Sequence, residues 1–82
     1  MLPRRMAVPQ SAKHFAEKLH TCLDDIDAPA QIRERASVLS KMLDISKHEA
    51  LMLLEGHQYP NDLLIERIAL EFDVEKTWLT SS

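Results

Sequence analysis

Glycine occurs once in the 82 residues, at Gly56, and proline only four times, so little interrupts long helical runs. Aromatic side chains make up 5% of the chain, and the β-branched residues are outnumbered by Leu, Ala, Met, Glu and Lys. That balance favours helix over strand, and no segment alternates strongly enough to read as a strand. A single cysteine, Cys22, excludes an internal disulfide and fits a reducing, cytoplasmic setting. No apolar run approaches the ~20 residues needed to cross a bilayer. The basic opening Met1-Leu-Pro-Arg-Arg-Met6 is followed by no apolar stretch, so neither a membrane span nor a secretory signal is expected. Also missing are a glycine-rich phosphate loop, a Ser-His-Asp order with a strained elbow, and paired carboxylates in a pocket-forming context. An enzyme is therefore not expected, and a chain this short has little room for a deep pocket.

What is present is a globular composition, 45% hydrophobic and 28% charged, with a formal net charge of −3. One domain over residues 11–82 is expected, preceded by a flexible arm over residues 1–10. The acidic balance argues against indiscriminate nucleic-acid binding. Its distribution is uneven. Arg4, Arg5, Lys13 and Lys18 face only Glu17 in the first twenty residues, whereas Asp62, Glu66, Glu71, Asp73 and Glu75 outnumber Arg67 and Lys76 after residue 60. A molecule basic at one end and acidic at the other is the expectation.

Ser11 is placed to cap a first helix whose apolar face carries Phe15, Leu19, Cys22 and Ile26, fading at Asp25-Ile-Asp-Ala-Pro29. A second helix from Ala30 or Gln31 to Leu43 carries Ile32, Ala36, Leu39 and Leu43 on one stripe. Ser46 followed by Glu49 is a capping-box spacing, opening a third helix with Ala50, Leu53 and Leu54 inward and ending at Gly56. Asn61 caps a fourth, with Leu64, Ile65, Ile68, Ala69 and Phe72 as its apolar face, and Val74, Trp78 and Leu79 close the core in a last short turn. Cys22 and Trp78 read as core residues. The expected fold is all-α, a compact bundle of about five short helices.

The stretch from Ala36 to Gly56 carries the functional signal. Two short helices joined by a tight turn need Leu39 and Leu43 inward and a small Ser40 where the next helix crosses. They also need Asp44 in a left-handed conformation, Ile45 as a plug, and Ala50 and Leu53 facing back. With Glu55-Gly56, Pro60, Ile68-Ala69, Phe72, Val74 and Trp78-Leu79 in register, residues 31–80 resemble the lambda-repressor-like, or Cro-type, helix-turn-helix domains.

That resemblance implies a sequence-specific, DNA-binding transcription regulator of bacterial or phage type, acting in the cytoplasm as a homodimer on a two-fold operator. The third helix would enter the major groove of double-stranded DNA, presenting Ser46, Lys47, His48, Leu51 and Met52. Lys47 would reach guanine O6 or N7 or a phosphate, His48 a base acceptor, and Leu51 or Met52 a thymine methyl. Ser37 and Lys41 would hold phosphates, joined by Arg33, Arg35 and an arm bearing Arg4 and Arg5. The chain departs from the family in having neither Gln nor Arg on the reading helix, and residues 31–57 carry zero net charge.

Plainer readings stand beside these. Ser46 and Glu49 suffice as a capping pair, and Lys41 and Lys47 as solvated lysines. Asp24, Asp25 and Asp27 are explained by solvation at a helix end. His14, His20, His48 and His57 share no ligand spacing, so neither metal nor cofactor is expected. The alternative function is a degenerate helix-turn-helix module that binds a protein partner through exposed Leu51 and Met52, supported by Glu49 and the acidic net charge.

Overall fold

Three helix starts rest on side chains that take up an otherwise orphaned first-turn amide. In the computed structural model, which describes residues 11–81, Ser11 Oγ accepts from the His14 amide at 3.1 Å and opens α1 (Ala12–Asp25). Ser46 Oγ accepts from the Glu49 amide at 3.0 Å and opens α3 (Lys47–Leu54). Asn61 Oδ1 accepts from the Leu64 amide at 2.9 Å and opens α4 (Asp62–Phe72). Two further helices, α2 (Ile32–Leu43) and α5 (Lys76–Thr80), start without a side-chain cap. The described residues hold these five helices and no strand. The second helix begins after the expected Ala30 or Gln31, because Gln31 has extended backbone and serves as its uncapped boundary. The arm expected over residues 1–10, with Arg4 and Arg5, lies outside the described residues.

Four helices end alike. A residue in the left-handed region follows each last turn: Asp27, Asp44, Gly56 and Asp73, with φ of 58°, 57°, 77° and 56°. The next amide then reaches back to a helix carbonyl: Ala28 to Leu23, Ile45 to Ser40, His57 to Met52 and Val74 to Ala69. This geometry satisfies carbonyls that would otherwise lack donors, and it favours Gly, with Asp and Asn next. The chain uses its one glycine where space also forbids a side chain. A Cβ on Gly56 would sit 3.0 Å from Cα of Lys13, so the end of α3 passes directly against the first turn of α1.

The core is a single cluster to which every helix contributes. It joins Phe15, Leu19 and Leu23 of α1, Ala36, Leu39 and Leu43 of α2, Ala50, Leu53 and Leu54 of α3, Ile65 and Ile68 of α4, and Leu79 of α5. Helix α3 packs on α2 and α1, α4 on α2 and α5, and α5 also on α1. Tyr59, in the loop before α4, sets its ring edge-on to Phe15 at a centroid distance of 5.4 Å.

Two residues expected in this core are outside it. Ile26 is 48% exposed, because α1 ends at Asp25 and the backbone leaves the helix before the periodicity can turn Ile26 inward. Trp78 is 38% exposed while its neighbour Leu79 is fully buried. The Trp78 ring lies under the Lys18 ammonium at 5.0 Å, and that ammonium also donates to the Ser81 carbonyl at 2.9 Å and hydroxyl at 2.7 Å. Lys18 thus donates to carbonyls in and just beyond the last turn of α5, those of Trp78 and Ser81. This basic residue of α1 therefore lies against the last described turn.

Candidate functional site

The turn between α2 and α3 determines what α3 can present. Asp44 takes the left-handed conformation, the Ile45 amide returns to the Ser40 carbonyl at 3.1 Å, and half-buried Ile45 packs against the core. Helix α3 then turns Ala50, Leu53 and Leu54 inward and leaves Lys47 and His48 exposed in its first turn. Ser46 is occupied as an acceptor by its cap. The reciprocal bond, from the Ser46 amide to the Glu49 carboxylate, is not formed among the described residues, so half of the capping box is present.

Leu51 and Met52 are not the exposed pair expected from the sequence. Both are half-buried, and Leu51 packs against the core cluster. The large apolar side chains left most open are instead Leu63, 74% exposed, and Leu70, 81% exposed, seven residues apart on α4. They share one outward face, a surface that the sequence reading did not single out.

On α2, Arg33, Ser37 and Lys41 follow one another at intervals of four and form one stripe, with Arg33 and Lys41 exposed and Ser37 half-buried. Arg33 and Lys47 meet across a shallow cleft of about 110 Å³ whose other lining residues are Ala36 and Leu51. Glu49 lies on the opposite flank of α3. It lines a separate groove with Leu43, Asp44, Ile45, Asn61, Leu63, Leu64 and Arg67. The one acidic side chain of α3 thus faces α4, while its one lysine faces the α2 stripe.

Arg35 has no part in this surface. Expected as a phosphate contact, it is 7% exposed and knits three helices together. Its Nε donates to the Pro29 carbonyl at 2.6 Å, one terminal nitrogen donates to Nδ1 of His20 at 2.9 Å, and the other is ion-paired with Asp24. A guanidinium can only donate, so Nδ1 of His20 is the acceptor and Nε2 carries the hydrogen offered to the Leu54 carbonyl at 3.1 Å. The Asp24–Arg35–His20–Leu54 chain therefore runs from α1 through α2 to the last turn of α3. Asp24, expected to be merely solvated, anchors it. A signal for this was available: Arg35 stands three residues after Ile32 and four before Leu39, inside the apolar stripe.

Cys22 is buried, and burial, reinforced by nearby Asp25, pushes its thiol from 9.0 up to about 11. A thiol held in its neutral form is a poor nucleophile and metal ligand. Among the described residues no three His, Cys, Asp or Glu side chains gather as a metal site, and no helix is long and apolar enough to cross a membrane. Comparison with protein-family models, curated proteins and solved structures returns no match.

Proposed function

We propose that the chain is a lambda-repressor-like helix-turn-helix domain that reads double-stranded DNA through the exposed face of α3. The observation that carries this is the division of charge on α3. Lys47 and His48 stand free in the first turn beside the Arg33–Ser37–Lys41 stripe, while Glu49 is turned away toward α4. A helix whose first turn is exposed and cationic can lie in the major groove with that turn at the base edges. His48 is the base-reading candidate, Met52 and the open part of Leu51 can meet a thymine methyl, and Ser37 and Lys41 hold the backbone. The biological role that follows is a transcription regulator of bacterial or phage type.

A single eight-residue helix makes few base contacts, so a homodimer on a two-fold operator is part of the proposal. The surface best suited to self-association is α4, through Leu63 and Leu70. The same exposed pair favours the second reading, a protein-interaction module without DNA contact, for which Leu51 and Met52 are less apt than the sequence suggests.

Selection from a randomised duplex library at low and physiological salt separates the two. Recovery of a two-fold motif that persists at the higher salt is expected. Recovery of no motif by protein with an intact thermal melt would favour the interaction module.

A further inference from the structure

We propose that the cleft between α2 and α3 seats one backbone phosphate of the bound duplex, with Arg33 and Lys47 as its two donors. The inference rests on the duplex-binding reading and assigns Lys47, left open between base and phosphate, to the phosphate. Three observations lead there.

The cleft brings together cations from two different helices, and no carboxylate is among its lining residues Arg33, Ala36, Lys47 and Leu51. Among the described residues neither cation has an ion-pair partner, whereas Lys18, Arg35 and Lys76 are all engaged within the fold. Finally, the floor is apolar and fixed, because Ala36 is 1% exposed and Leu51 packs on the core. An anion entering it would meet donors on both sides.

The cleft, of about 110 Å³ and open to solvent, has room to admit a phosphate group. Arg can offer two parallel N–H donors to phosphate oxygens while Lys supplies a point charge, so the pair is a suitable clamp. Clamped there, the strand is held at the edge of α3, and base reading falls to exposed His48 and half-buried Met52.

The test is the salt dependence of affinity for the selected duplex, between 50 and 200 mM salt, for wild type, R33Q, K47Q and the double variant. Each neutralised phosphate contributes a slope of about 0.9 in log affinity against log salt. R33Q and K47Q should each weaken binding by the same factor on selected and shuffled duplexes. The double variant should lower the slope by about 0.9, because one phosphate is lost.

An unchanged slope in the double variant, with wild type still binding, would overturn the clamp and leave the duplex-binding reading standing. A fall of about twice that size would mean two separate phosphates, and would overturn the shared seat. A changed sequence motif for K47Q would return Lys47 to base reading and overturn it as well. Wild type without duplex affinity would remove the reading beneath it. Amide shifts in residues 33–37 and 47–51 as large with inorganic phosphate alone as with duplex would assign the cleft to a free anion instead.

Discussion

Replacing Arg35 by alanine would leave the Pro29 carbonyl, Nδ1 of His20 and the Asp24 carboxylate without their donors at once. Asp24, 64% exposed, could turn to water, whereas His20 is half-buried. Arg35→Ala should therefore destabilise by about 2–3 kcal/mol, for lost packing and partners left unsatisfied. Asp24→Asn should cost less than about 1 kcal/mol, as exposed ion-pair partners usually do. Chemical denaturation of both variants checks this, and equal losses would contradict it. The sequence places Arg35 on the apolar stripe of α2, which marks it for burial, but its partners on α1 and at Pro29 are set by non-local packing that spacing within α2 does not encode.

At the scale of the helices, the four left-handed ends differ in how much they need glycine. Asp73 adopts φ 56° and places a carboxylate at the negative end of α4, both mildly unfavourable. Asp73→Gly should gain up to about 1 kcal/mol, whereas Gly56→Ala should lose more than that gain, because its Cβ would also press on Lys13. Thermal melts of the two variants give the comparison, and a neutral Gly56→Ala would contradict the close approach.

Caps and stripes of this kind were legible in advance, since Ser11, Ser46 and Asn61 act within three residues of themselves. Trp78 was not. Helix α5 has five residues, little more than one turn, so periodicity cannot decide which of two adjacent apolar side chains points inward. Leu79 takes the core position, and the larger Trp78 lies outside it under Lys18.

Across the whole molecule, the net charge of −3 is less of an obstacle to nucleic-acid binding than its sum suggests. Asp62 and Glu66 are held by Lys76 at 3.9 and 3.3 Å, Asp24 by Arg35, and Asp27, Asp44 and Asp73 close helices. The exposed cations of α2 and α3 have no ion-pair partner among the described residues, and their nearest acidic neighbours in sequence are Glu34, Asp44 and Glu49. The exposed first turn of α3 was readable from the cap at Ser46 and the inward period of Ala50, Leu53 and Leu54. The meeting of Arg33 with Lys47 was not, because it depends on how α3 crosses α2.

The central claim is that the outward face of α3 reads bases, and His48 is its polar base-reading side chain once Lys47 is given to the backbone. Duplex selection repeated with His48→Ala tests it most directly. The account predicts a protein that melts as wild type does, binds more weakly, and recovers a motif relaxed at one position in each half-site, a discrimination of about 1–3 kcal/mol. The same motif, recovered with the same information at every position, would contradict it.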